Sequence, residues 1–516
     1  MSKYKILKNF KPIINTNYKL KILDIFALIF AILILLPIFN FLKEGSEIIL
    51  NGNFSIGITG KKEIIGTLKI LFLVSLIGGG LGIINGWLLS NCDFKFRKIL
   101  KILQLIPLAS PAYLVTAITQ DLGSIMGYQI TGILWGVLIL SIATYPYVFI
   151  LTNESFSKFG LNQILASRGL GVGPWKSFFR IALPMSLPSV AIGISLMCME
   201  SMNELGTFEL LNIPTISTGI AESWISEGNL TSAIGLALIA LIIVFSLILI
   251  EKFSRKKSKR WSENPATSNS QGWKLKGIRA ISAMVVCTFP AFFSLGIPLI
   301  WIVLNIDQIP QSFEEDLLFL TLRTLGLGAT AAFLAILFSL LISLSKRWNK
   351  GLVIQVTSFI AGIGYAIPGT VLAIFLLTVI NKPDYYIFLL IWGYITRFLT
   401  ISKGSLDSAL ERISPSIDEA AIGLGANNFK VINTIHIPLL KGPALVGTLL
   451  VFIDTIKELP VSFLIRPLDF DTLSVRIYQY ATDGRIGLAI LPAILITILG
   501  LIASSTLIPS LENKNN

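Results

Sequence analysis

Stretches free of Asp, Glu, Lys and Arg recur along the chain: Ile25 to Leu42, Ile70 to Ser90, Leu230 to Ile250, Ala280 to Asn305, Thr324 to Ser345 and Ile486 to Leu511. Each is long enough to cross the ~30 Å hydrocarbon layer of a bilayer. In that layer water is absent, so the backbone must pair with itself, and a helix is the form in which a single segment does so. Six further apolar stretches lie near 102–120, 130–152, 181–203, 351–381, 383–402 and 438–457, some of them broken by proline. The expectation is an all-α polytopic membrane protein of about twelve spans. A soluble fold is excluded, because 53% hydrophobic and 14% charged residues cannot cover a globular surface.

The basic residues then set the topology. The N-terminal tail carries Lys3, Lys5, Lys8, Lys11, Lys19 and Lys21 before its first acid, Asp24, and is expected to stay in the cytoplasm. Threading twelve spans from there leaves Arg97, Lys98, Lys176, Arg180, Lys346, Arg347 and Lys430 on the same side and brings the C-terminus back to it. The net charge of +13 is thus a topology signal in short loops, with no nucleic-acid partner and lipid as the surrounding medium. After Leu42 come Lys43-Glu44-Gly45, which lack the small residues of a cleavage site, so the first span is expected to be retained. Three scattered cysteines and one histidine, His436, offer neither a disulfide framework nor a histidine metal site.

One segment is written twice. Leu165-Ala166-Ser167 with Gly171 and Ile181-Ala182-Leu183-Pro184 recurs as Glu419-Ala420-Ala421 with Gly425 and Ile435-His436-Ile437-Pro438, at a constant offset of 438 − 184 = 254. Thr67-Leu68 and Thr324-Leu325, like Pro111 and Pro368, repeat at 368 − 111 = 257. The chain therefore divides into a first unit (1–250), a basic linker (251–277) and a second unit (278–516). With an even number of spans each, the units insert in one orientation, as parallel repeats whose mutual boundary is the natural substrate path. Within the second copy Ser414-Pro415 is a helix start and Gly425 a left-handed stop. In the first, Gly171 and Gly173-Pro174 repeat that grammar. Each copy is expected to be a helix-turn-helix knob on the cytosolic side.

The pattern Glu-Ala-Ala, three residues, Gly, nine residues, Ile-x-Leu-Pro resembles the coupling-loop motif of ABC importer permeases, and the resemblance covers nearly the whole chain. It implies that Leu165, Ala166, Ser167, Gly171, Ile181, Leu183, Pro184 and Glu419, Ala420, Ala421, Gly425, Ile435, Ile437, Pro438 engage separate ATPase subunits, two copies of them. The copies depart unequally from the pattern, since Leu165 stands where the second copy keeps Glu419. No Gly-x-x-x-x-Gly-Lys-Ser/Thr loop occurs in the chain. No catalytic residue, cofactor or metal is therefore expected on it, and ATP and magnesium belong to the partner.

After each knob an apolar span meets acids, Glu200 and Glu204 in the first unit, Asp454 and Glu458 in the second, again 254 apart. Counting from Pro184, Glu200 is expected near the outer end of its span. Carboxylates there either line a gate for a hard cation or cap helix ends and pair with bases such as Lys457. The segments around Met199–Thr207 and Glu458–Leu473 resemble fused iron(III) permeases, which implies ferric cargo and a periplasmic ferric-binding protein. Thiamine, sulfate and polyamine cargo stay open, as does a proton-coupled secondary transporter using the same acids. Trp175, Trp224, Trp301 and Tyr394 fit an interfacial belt, and Gly78-Gly79-Gly80 with Gly82 a close helix approach.

Overall fold

The computed structural model describes residues 22–158, 167, 169–261, 273–313, 316–380 and 382–505. Among them the only strand pairing is a two-residue parallel contact of Cys92–Asp93 with Trp273–Lys274; the rest of the regular structure is helical. Among the described residues nine helices are long and apolar enough to cross a membrane. Two further spans are bent, Arg97–Ala109 with Ala112–Ile125 by 89° and Leu352–Ala366 with Gly369–Val379 by 118°, which makes up to eleven. The expected twelfth, from Ile486, is a shorter apolar helix, Ile486–Ile502.

Proline explains the two breaks. Pro111 and Pro368 sit in extended conformation (ψ 137° and 143°), each directly before a new helix. With no N–H to donate and a ring that crowds the preceding turn, neither can continue the helix before it. The bent pairs nevertheless run the length of a straight neighbour. Beside Ile278–Leu304, Gln104 donates to the Cys287 carbonyl (2.7 Å) and Asp121 accepts from the Trp301 indole (2.7 Å). Those partners are 301 − 287 = 14 residues apart, about 21 Å of helix. Beside Ile22–Leu50, Asn349, just before the pair, meets Asp24 (2.9 Å), and Asn40 meets the Thr378 carbonyl near the pair's end (2.9 Å).

These contacts also show that the units are not separate in space. Ile22–Leu50 packs on the second unit's bent pair, and Ile278–Leu304 packs on the first unit's. Each repeat lends its opening span to the other. The largest apolar core accordingly mixes Met199, Leu205 and Ala237 with Val371, Phe375 and Val461.

The glycine run does what its small size allows. A Cβ on Gly82 would lie 2.6 Å from the Val148 Cβ, and one on Gly86 2.4 Å from the Thr152 hydroxyl, so Gly60–Asn91 and Ile133–Lys158 touch through backbone. The aromatic belt is corrected at two positions. Trp301 is fully buried on Asp121, and Tyr394 is buried against Ser462 at 2.6 Å, both held by a polar partner inside the bundle.

Candidate functional site: an acid-lined cavity between the repeats

Both long helices that follow the repeated motif, Leu183–Asn203 and Ile437–Ile456, end in a sharp turn into a short helix, Gly206–Leu210 and Pro460–Ile465. An acid stands at each turn because the short helix presents unpaired N–H groups at its start. Glu204 accepts from the Thr207 backbone (3.1 Å) and hydroxyl (2.8 Å). Glu458 accepts from the backbone of Val461 (3.0 Å) and Ser462 (3.2 Å) and takes the Arg397 guanidinium at 3.1 Å. Asp454 pairs with Lys457 at 2.8 Å. The capping and pairing roles are therefore real for three of the acids.

The four acids also converge. All four acids line one cavity of about 60 Å³ together with Arg397 and Lys457. That is room for a few waters or a stripped ion. Four carboxylates against two bases give −4 + 2 = −2 with every group ionised. Arg397, in contact with Glu458, stands near the middle of Tyr386–Leu410, 397 − 386 = 11 residues from one end and 410 − 397 = 13 from the other.

The cavity wall is stitched across the two units. Asn203 accepts from the Gly369 N–H at 2.7 Å, and Lys457 donates to the Leu108 carbonyl at 3.2 Å. These are equivalent positions, 457 − 203 = 254, and each reaches the proline break of the other unit. Tyr365 of the second unit donates to Glu200 of the first (2.9 Å) and shares a hydrogen bond with Tyr147 (3.0 Å). Arg397 lies 4.0 Å from Glu200. Sequence reasoning did not single out Arg397, Tyr147 or Tyr365. Arg397 had a signal, a lone cation within an apolar span; the tyrosines had none, since their partners sit 218 and 165 residues away.

At the basic end of the bundle the two knobs share one backbone design. Gly425 (φ 87°) and Gly171 (φ 75°) are left-handed, and the N–H of Ala426 reaches back to Ala421 (3.0 Å) as that of Val172 does to Ser167 (2.9 Å). This six-to-one closure is the glycine helix stop expected from sequence. In the second knob Pro415–Gly423 starts at Ser414 and carries Glu419 and Ala420 exposed and Ala421 half-buried. In the first, Leu165 and Ala166 lie outside the described residues, and Ser167 bonds Ser177 at 2.7 Å. In both, a π-turn (Phe178–Ala182, Ile432–His436) carries Ile181 or Ile435 into the helix begun by Leu183-Pro184 or Ile437-Pro438. Both knobs leave large apolar side chains bare at matching positions: Leu170 (84% exposed) and Trp175, Leu424 (90%) and Phe429. Paired bare patches of this kind mark a surface built to be covered.

Twofold-repeated spans, a polar cavity at their boundary and two protruding knobs define a multi-pass membrane permease. The chain matches, over residues 78–258, the family described as binding-protein-dependent transport system inner membrane component. It is 22% identical over 440 residues to the Fe(3+)-transport system permease protein FbpB 2 of Haemophilus influenzae, covering 82% of this chain and 85% of that one. The ferric transport system permease protein FbpB of Actinobacillus pleuropneumoniae is 22% identical over 76% of this chain and 62% of its own length. The molybdenum transport system permease protein ModB of Escherichia coli is 26% identical over 212 residues. Those residues are 92% of ModB but only 37% of this chain, so a whole relative corresponds to less than one half here.

Proposed function

We propose that this chain is the membrane subunit of an ATP-driven importer whose cargo is ferric iron. It lies in a bacterial inner membrane with both termini in the cytoplasm. Two copies of a separate ATPase, carrying the ATP and magnesium, grip the knobs formed around Leu165–Pro184 and Glu419–Pro438. A periplasmic ferric-binding protein delivers cargo to the opposite face. Closure and opening of the ATPases rock the two units about their boundary, exposing the cavity of Glu200, Glu204, Asp454 and Glu458 to each side in turn.

The observation that carries the cargo reading is the charge of that cavity. A relative named for molybdenum and others named for sulfate transport make an oxyanion the natural alternative. Here an oxyanion would face four carboxylates, while both bases are already engaged, Arg397 by Glu458 and Lys457 by Asp454. A hard cation instead finds oxygen donors and an excess of negative charge. The test is reconstitution: vesicles holding this chain with its ATPase and binding protein should take up labelled iron only with ATP. Uptake by the chain alone under a proton gradient would reject the importer reading, and ATP-driven uptake of molybdate or sulfate in place of iron would reject the cargo.

A further inference from the structure

Glu204, Asp454 and Glu458 each have a local partner within their own unit, whether a helix start or a neighbouring base. Glu200 differs. Its hydrogen bond comes from the other unit, from Tyr365, and Tyr365 is bonded in turn to Tyr147 of the first unit. Three oxygens thus form a chain that crosses the boundary twice, with separations of 2.9 and 3.0 Å. Two ligands at right angles on a small hard cation, each about 2.0–2.1 Å from it, are about 2.9 Å apart. The spacing of this chain therefore matches two edges of a cation's coordination shell.

We propose that Tyr147, Tyr365 and Glu200 form a cation-holding site within the translocation path, one whose occupation undoes the hydrogen bonds that shut it. Tyr147, Glu200 and Asp454 all line the cavity. A trivalent cation entering there takes the carboxylate from Tyr365, and each phenol oxygen becomes a ligand by giving its proton to water. No electron moves. Ligation replaces the Tyr147–Tyr365 and Tyr365–Glu200 bonds, so the clasp between the units is exchanged for bonds to cargo. Arg397, at 4.0 Å from Glu200 but 3.1 Å from Glu458, keeps its stronger partner when this happens.

This inference rests on the importer reading for its cargo, yet its test does not need transport. Ferric ion supplied as the citrate complex is titrated into the purified permease–ATPase assembly, without ATP. Phenolate bound to iron(III) absorbs visible light, so binding is expected to raise a visible band that carboxylates alone do not give. Tyr147→Phe and Tyr365→Phe keep the ring and remove one donor each. Either is expected to weaken the band and the iron affinity at least tenfold while the assembly still co-purifies. Tyr480→Phe, at a tyrosine that does not line the cavity, serves as control and should leave both unchanged. Iron binding without the band, a band unaffected by both substitutions, or no iron binding by the native assembly would each overturn the site. Failure of ATP-driven uptake with the band intact would instead strike the importer reading.

Discussion

The two units build the same backbone and fasten it with different chemistry. In the second, the knob is tied to the end of Leu317–Trp348: Arg347 meets Asp418 at 2.7 Å, Trp348 adds a bond at 3.1 Å, and His436 lies 3.3 Å from the other carboxylate oxygen. Arg347 also holds the carbonyls of Leu410 (2.8 Å) and Ile413 (3.1 Å). At the equivalent positions the first unit has Ser90, Asn91 and Ala182, which support no such ionic latch. Inside the bundle the imbalance reverses. Asn85, Gln104 and Tyr145 form a buried polar knot in the first unit, where the second has Ile342, Ala361 and Leu399 in one apolar cluster. What both copies keep is the backbone geometry of the knob and of the turns at the cavity; how each is anchored has drifted.

The sharpest way to break this comparison is to attack what the copies share. Gly425→Pro removes an N–H that bonds Ile422 and forbids the left-handed φ of 87°; Gly171→Pro likewise forbids the φ of 75°. If both knobs are levers, either substitution should abolish ATP-driven uptake while the chain still inserts and accumulates in the membrane. Uptake surviving Gly171→Pro but not Gly425→Pro would make the second knob the sole lever.

Next in size is the latch that only the second unit has. Arg347→Ala leaves the buried Asp418 without its cation, a loss of about 4 kcal/mol when an enclosed pair is broken from one side. Hydrogen exchange should rise across 415–423, with uptake falling more than tenfold. Ser90→Ala at the matching position should change stability by less than about 0.5 kcal/mol. Burial works against the Asp418 charge, but the bonds from Arg347 and Trp348, with His436 alongside, outweigh it and hold the carboxyl below the usual aspartate range. A depressed folded value means that the stabilisation is complete above the ordinary aspartate pKa and is lost only as pH falls through the lower one. Corrected for the pH dependence of intrinsic amide exchange, protection across 415–423 should therefore be flat from about pH 7 upward, where His436, held below the usual histidine value by burial, is neutral as well.

Much of this was legible in the sequence because it depends on local rules. Charge-free runs give spans, proline gives the breaks at Pro111 and Pro368, and glycine between two short helical patterns gives the stops at Gly171 and Gly425. The four acids were legible through their duplication. The exchange of opening spans was not, because it depends on side chains far apart in the chain, such as Gln104 and Cys287, and no local pattern encodes it.

A smaller effect is expected from the polar knot. Gln104 accepts from Asn85 (2.8 Å) and Tyr145 (3.0 Å) and donates to Leu100 and to Cys287 of the exchanged span. Gln104→Ala strands the Asn85 amide, while Tyr145 can still reach the residue-104 carbonyl, so the loss is about 2 kcal/mol. Adding Asn85→Ile, which copies the second unit's residue, should recover part of it, since removing both partners of a buried bond costs less than removing one. Thermal unfolding of the purified chain would check the order. A double variant less stable than Gln104→Ala would mean that the two units cannot exchange core chemistry.

The smallest expected change tests the geometry the copies hold in common. Thr67 accepts from the Ile216 N–H and Thr324 from the Leu473 N–H, both at 2.9 Å and both across 149 residues. Each bond pins the start of a helix beyond the acid-bearing turn, Ile216–Ala221 or Leu473–Thr482. Both hydroxyls also donate to a carbonyl four residues back, so they lie fixed between the two helices they join. Thr→Val keeps the shape and removes the acceptor, leaving one buried N–H unpaired at a cost of about 1 kcal/mol. The comparison requires the same cost at Thr67 and Thr324, read as equal shifts in thermal unfolding. Because Ser217 and Ser474, the next residue in each helix, bond the carbonyls of Met202 and Ile456 at 2.7 Å, neither helix should detach when the threonine is lost. A large drop at one site alone would mean that only one unit relies on this pin to keep its acids facing the cavity.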